Sequence, residues 1–301
     1  MNLKNCIITA NVNGLKSAAM ADKIQCLTLK LSDFGCDVAC LLDTRLDESS
    51  EKNVGNLWDG DSFYAHGADC QSGGIAFLIR PGVQVGVFYT NGDGRYAAIE
   101  ARLSDRKILI VALYAPASSP RDRALFYQQI LPDIVRRRKA AGNVELMVLG
   151  DFNCVEGPLD RSSTTAQSDH SVRDLQALTS KLDVSDAFRF LNPDTRDYTF
   201  CSTKGHAARL DRAYVSSGLL NCVTDIDHPP NAFSDHSFLR VDLDFQEVEY
   251  GAKSWNLPTR LLRDEAYLEG VRILWFSWKK SPLRSANPPQ WWDKGKEKPS
   301  L

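Results

Sequence analysis

Short apolar runs that stop at polar turns, interleaved with segments of helical period, predict an α/β fold for this chain. The runs Cys6–Ala10, Val38–Leu42 and Met147–Leu149 suit strands better than helices, and each leads into Gly, Asp or Asn. Apolar residues at helical spacing (Met20, Ile24, Leu27, Leu31) predict a helix from about Ala18 to Leu31. From Phe63 to Val111 the pattern is β throughout, broken by Pro81-Gly82, Asn91-Gly92-Asp93-Gly94 and Asp105-Arg106 turns.

In chain order, the first strand exits at Asn11-Val12-Asn13-Gly14, with Asn11 and Asn13 on one side, and the second ends at Asp43. Ile108–Val111 runs on to place Tyr114 at another strand exit. Ser119-Pro120 opens a helix to about Ala140, which Pro132 is expected to kink or split. Arg136-Arg137-Arg138-Lys139 at its end reads as dipole compensation on a solvated face rather than a nucleic-acid patch. In Met147–Asn153, Gly150 frees the turn, and period-two alternation puts Asp151 and Asn153 on one side. A carboxylate beside a carboxamide holds a water, the Asp as base and the Asn as donor, although the same residues also favour a plain turn. A loop with Leu159-Asp160-Arg161-Ser162 and a helix around Val172–Lys181 follow. Tyr198–Ser202 and Arg209–Val215 read as strands joined by a short turn, and Ser234-Asp235-His236 enters a last strand, Phe238–Leu243.

The 301 residues suffice for one large core or two modest domains, and 43% hydrophobic with 25% charged content is ordinary for a globular chain. No apolar run is long enough for a transmembrane helix, so no membrane partner is expected, and the N-terminus lacks the marks of a signal peptide, which predicts an intracellular protein. Eight scattered cysteines without a C-x-x-C pair read as reduced thiols and disfavour a zinc site. From Gly251 onward ten Lys or Arg stand against five acids, leaving the tail at +5 and the rest at −7. The acidic body argues against non-specific coating of nucleic acid, but not against carboxylates gathered around a metal. The boundary falls between residues 1–248 and a basic tail, 249–301. The tail holds five of the six tryptophans and an amphipathic stretch, Arg260–Trp278, suited to docking on a neighbouring domain or stacking on nucleic acid.

The polar residues at strand exits, Asn11, Asp43, Tyr114, Asp151, Asn153, Asp211 and His236, supply what phosphodiester hydrolysis requires. Those parts are carboxylates for a hard divalent cation, a base for water, and donors for the charge that develops on phosphate.

Asn11-Val12-Asn13-Gly14-Leu15, Gly150-Asp151-Phe152-Asn153, Leu159-Asp160-Arg161-Ser162, Tyr198-Thr199-Phe200, Arg209-Leu210-Asp211-Arg212 and Ser234-Asp235-His236-Ser237 occur in the order found in the endonuclease/exonuclease/phosphatase superfamily. The chain resembles, more narrowly, the apurinic-type endonuclease domain of LINE-like (non-LTR) retrotransposon reverse-transcriptase proteins, over about residues 5 to 245. The resemblance implies a four-layer α/β sandwich, two mostly antiparallel β-sheets packed face to face with helices outside. It implies a Mg²⁺-dependent nick in one strand of double-stranded DNA, with Mn²⁺ as an alternative ion. The resulting 3′-hydroxyl would prime a downstream reverse-transcriptase domain, with the nucleus as the site of action. By the same resemblance Asp43 would hold the metal, with Asn11 and Asp235 assisting. Asp151 would activate water, Asn153 and Tyr114 would hold phosphate, and His236, aligned by Asp211, would stabilise developing charge. Arg161, Thr199, Ser202 and Arg209 would meet flanking DNA, and the hairpin Thr203–Ala208 would probe a groove. One departure is Leu42-Asp43-Thr44, where the family usually has Gln-Glu-Thr. Asp is a methylene shorter than Glu, and metal–ligand distances tolerate only about 0.2 Å of slack. The rival expectations are another phosphodiesterase or phosphatase of the superfamily, and a DNA-binding or partner-docking module whose chemistry has lapsed.

Overall fold

A computed structural model of the chain describes residues 4–16, 21–68, 71–163, 169–245 and 264–279. The chain divides into two compact units, Met1–Gln246 and Glu247–Leu301.

In the first unit the strands are β1 (Lys4–Asn11), β2 (Val38–Leu42), β3 (Asp61–Ala65), β4 (Ile75–Ile79), β5 (Gln84–Thr90), β6 (Tyr96–Leu103), β7 (Arg106–Tyr114), β8 (Glu145–Asp151), β9 (Val184–Asp186), β10 (Phe200–Cys201), β11 (Ala207–Ala208), β12 (Asp211–Ser216), β13 (Val223–Asp227) and β14 (Leu239–Asp244). Its helices are α1 (Ala21–Asp33), α2 (Lys52–Gly55), α3 (Pro120–Ala140), α4 (Ser171–Leu182), α5 (Ala187–Leu191) and α6 (Ser217–Leu220). Two six-stranded sheets result, one in the order β13-β14-β1-β2-β4-β3 and the other β5-β6-β7-β8-β12-β9. The pairs β1–β2 and β7–β8 are parallel and the remaining ladders antiparallel.

Alternation along the strands explains the layering. Ile7, Val38, Cys40 and Phe77 of the first sheet meet Ile99, Ile110, Met147 and Leu149 of the second in one buried cluster. The opposite face of the second sheet packs Leu109, Val111 and Val148 against Phe126 and Ile130 of α3 and Leu175 of α4. On the far side, Ile8, Ala39 and Leu41 pack against Ile24, Leu27 and Leu31 of α1. The four-layer α/β sandwich expected above is therefore the observed fold.

Helix α3 is capped by Ser119, whose hydroxyl accepts from Asp122 N at 3.1 Å, and it continues unbroken past Pro132. The expected split does not occur. Pro132 is exposed, so the carbonyl it leaves without a donor lies on the watered side of the helix. The basic run is structural: Arg136 and Arg137 pair with Asp133, and Arg138 donates to the Val144 and Leu182 carbonyls.

The second unit contributes α7 (Glu265–Lys279). Ile273 and Phe276 are exposed on it, and Trp275 meets Trp278 edge to face. The expected helix residues before 264, and the proline- and tryptophan-containing end, lie outside the described residues.

Candidate active site

Register brings the strand exits together. In the first sheet Asn11 sits opposite Leu42, so Asp43 leaves β2 beside the end of β1. In the second, Asp151 is paired with Tyr114 on one side and Asp211 on the other. The two sheets are joined at this end by the Asn11 amide, which donates to Asp151 Oδ2 at 3.0 Å.

Gly150 makes this close packing feasible. It lies at φ +139°, and a Cβ there would overlap the Leu113 carbonyl oxygen of β7. Asn153 differs from the strand-alternation expectation. It lies beyond β8 at φ 49°, and its backbone N–H turns back to Asp151 Oδ1 at 2.9 Å. Its side-chain amide donates to the Ala115 carbonyl at 2.8 Å, leaving a second N–H uncommitted.

Asp211, His236 and Asp151 form a buried line. The His236 Nδ1 is 2.8 Å from Asp211 Oδ2, and its Nε2 is 3.8 Å from Asp151 Oδ2. Phe200 packs on the imidazole at 5.0 Å. The His236 loop is anchored by Ser234, whose hydroxyl donates to the Asn11 carbonyl and accepts from His236 N. Burial alone would depress the imidazole, but the charge and hydrogen bond of Asp211, then Asp151 and Asp235, lift its pKa to about 10. Burial first and Asp211 second raise Asp151 to about 6, against His236, Asn11 and Asn153 N. Burial, then the charges of Asp43 and Asp151, keep the Tyr114 phenol protonated, with the Arg95 guanidinium over its ring at 5.0 Å.

Asp43 is 2% exposed and left-handed, at φ 53°. Its Oδ1 accepts from Gly73 N at 2.7 Å, and its Oδ2 accepts from Arg45 Nε at 3.1 Å and Nη2 at 2.6 Å. The carboxylate of Asp235 is exposed at the rim.

The ligand atoms of Asp151, Asp211 and His236 lie within 4.8 Å of one another. An imidazolium offers no lone pair, so this trio is a proton-holding cluster rather than a complete ligand set. The end of the sandwich nevertheless suits a hard cation. It carries the buried carboxylates of Asp43, Asp151 and Asp211, and Asp211 Oδ1 has no partner. The His236 imidazolium and the guanidiniums of Arg45 and Arg95 offset part of that charge, and the unpartnered carboxylate oxygen left over is the hard donor that a divalent ion takes.

Residues 8–236 match the Endonuclease/Exonuclease/phosphatase family. The chain belongs to that family. It is 28% identical over 295 residues to the "Transposon TX1 uncharacterized 149 kDa protein" of Xenopus laevis, covering 96% of this chain but 22% of that protein. Among solved structures, AP endonuclease LMAP from Leishmania major superposes with a TM-score of 0.69 at 19% identity, over 80% of this chain and 88% of that one. The Xenopus laevis APE2 catalytic domain gives 0.67 at 16% identity, over 79% and 91%. At such identities the likeness is one of fold.

Within this family member, two residues expected at the DNA surface are internal. Thr199 is 1% exposed, and its hydroxyl accepts from both Leu210 N and Asp211 N at 3.0 Å, fixing the strand that carries Asp211. Arg209 is wholly buried, donating to Asp160 Oδ1 at 2.8 Å and Asp186 Oδ2 at 2.7 Å. Arg212 is buried as well, bonded to the Cys154 carbonyl. The carboxylates of buried Asp160 and half-buried Asp186 neutralise Arg209, which is itself 0% exposed and so presents nothing to a phosphate. Arg161 and Ser202 are half-buried, and the Thr203–His206 turn is exposed. Arg45 and Arg95 are absent from the sequence reading, and Phe200 and Ser234 appear there only within motifs, with no role of their own. Arg45 lies past the end of β2, where a left-handed backbone and not strand alternation sets its direction, and Phe200 is apolar.

Proposed function

We propose that this protein hydrolyses a phosphodiester of double-stranded DNA, nicking one strand in the presence of Mg²⁺ or Mn²⁺ to leave a 3′-hydroxyl and a 5′-phosphate. The observation that carries the reading is the buried Asp211–His236–Asp151 line, joined by Asn11 to the strand exit that bears Asp43. Asp151, poised near neutrality, takes the proton of the attacking water, with its oxygens oriented by the Asn11 amide and Asn153 N. His236, held as imidazolium by Asp211, stabilises charge on the phosphate. The second Asn153 N–H and the Tyr114 phenol donate to phosphate oxygens. Asp43, with Asp235 at the rim, would hold a Mg²⁺ ion, and that ion would supply Lewis-acid charge at the phosphate. Arg161, Ser202 and the exposed Thr203–His206 turn meet the flanking backbone, which positions DNA without reading its sequence.

We further propose that the new 3′-hydroxyl primes reverse transcription in the nucleus, by a domain elsewhere in a longer protein; the transposon relative supports the mobile-element part of that reading. A non-catalytic DNA-binding reading draws on one observation, the Arg45 fork on Asp43. Supercoiled plasmid separates the two. The nuclease reading expects relaxed circles with Mg²⁺, none with EDTA, and loss by a factor of about 10² or more in Asp151→Asn and His236→Ala. Activity unchanged in both variants refutes it.

A further inference from the structure

Asp43 already has a cation. Both hydrogen bonds to its Oδ2 come from Arg45, through Nε at 3.1 Å and Nη2 at 2.6 Å, and they occupy that oxygen's two lone pairs. Its Oδ1 is shared with Gly73 N, so one lone pair of the carboxylate stays open.

The arginine's seat is built by the fold. Asp43 and Arg45 both adopt the left-handed region, at φ 53° and 54°, which folds the second side chain back on the first. Arg45 N is held by the Gly73 carbonyl at 2.9 Å and Thr44 N by the Gly74 carbonyl at 3.1 Å. The same Nη2 donates to Asn13 Oδ1 at 2.7 Å, and the missing side chain of Gly14 leaves room for Arg45 Cδ and Nη1. A third of the Arg45 side chain is exposed, against 3% of Asp43, so the arginine has a path outward that the aspartate lacks.

We propose that Arg45 is a resident counter-ion which a divalent metal has to displace from Asp43 Oδ2, so that Arg45 sets the metal affinity of this end of the sandwich. The proposal rests on the nuclease reading's assignment of Asp43 to the metal. With both Oδ2 lone pairs taken by Arg45, a metal can use that oxygen only after the guanidinium lets go. The one open lone pair is on Oδ1, which Gly73 N holds in place, so a metal seated there alone gains a single bond beside the Arg45 charge, and coordination through Oδ2 requires the arginine to leave. The apparent affinity is then the intrinsic one reduced by the fraction of molecules in which Arg45 has let go.

The test is Mn²⁺ binding without DNA, read from the electron paramagnetic resonance of free Mn²⁺, in the full chain and in Arg45→Met and Arg45→Lys. Thermal melting confirms that each variant folds. Arg45→Met is expected to bind Mn²⁺ about tenfold more tightly or better. Arg45→Lys keeps the charge but loses the two-pronged grip, and is expected to fall measurably between the two. Unchanged affinity in Arg45→Met, or no binding in any of the three, overturns the proposal. So does a lysine variant identical to the wild type, since a simple field effect predicts that result. The nuclease reading is judged separately, by nicking of plasmid by the wild type at saturating Mg²⁺, so failure of one is distinguishable from failure of the other.

Discussion

Replacing Asp211 by Asn removes the charge that matters most to His236 while preserving an oxygen 2.8 Å from its Nδ1. In the native site the imidazole is raised from the ordinary 6.5 to about 10 despite burial, with Asp211 foremost among the groups that lift it. That gap corresponds to about 5 kcal/mol in favour of the imidazolium. Asp151 and Asp235 remain in the variant, so the alkaline limb of the nicking rate should fall by roughly two pH units rather than all the way. The rate at pH 9 then drops about 10-fold, while the loss near pH 6.5 is smaller. The acid limb moves the same way, because Asp211 is second only to burial in raising Asp151 to about 6. The sign for stability follows. A raised histidine contributes stability that is full below pH 6.5 and is lost as pH rises through about 10, and Asp211→Asn forfeits part of it. Single-turnover nicking from pH 5 to 10.5, with a ¹³C titration of the His236 ring, reads both. An alkaline limb that stays near pH 10 in the variant refutes the assigned role of Asp211.

Arg209→Ala takes one partner from buried Asp160, which keeps Arg189 and Arg212, and one from half-buried Asp186, and should cost about 3 kcal/mol in urea unfolding, while the KM for DNA at a permissive temperature stays unchanged. A stable variant with weakened DNA binding would return Arg209 to the DNA surface. Gly150→Ala forces a Cβ into the Leu113 carbonyl and strains a backbone at φ +139°. It should cost about 3 kcal/mol or more, measured by the same unfolding curve, and a variant of wild-type stability would show that β7 and β8 do not pack as described.

The parts of this architecture that were legible in the sequence are those where sheet geometry leaves little choice. Short apolar runs such as Val38–Leu42 and Met147–Leu149 are buried on both faces, so the polar residue after each emerges at a sheet end. Strand β13 was not legible. Its Val-Thr-Asp-Ile-Asp pattern is half polar, as suits an edge strand, and a register shift between Val223 and Asp225 breaks the alternation. Arg209 was misread because charge in a sequence is read as surface, and the carboxylates that neutralise it lie 49 and 23 residues away. Thr199 was misread for a similar reason, since its hydroxyl serves two backbone N–H groups that only the turn into β12 brings near. The Arg45 grip on Asp43 depends on two left-handed residues in close succession, which side-chain type does not announce.

The central claim is that a water deprotonated by Asp151 attacks phosphorus directly while the 3′-oxygen leaves. Nicking a defined duplex in H₂¹⁸O with Mg²⁺, followed by mass analysis of both ends, measures it. The account predicts one ¹⁸O in the 5′-phosphate and an unlabelled 3′-hydroxyl. Label at a 3′-phosphate, or a 5′-end left attached to protein, would contradict it.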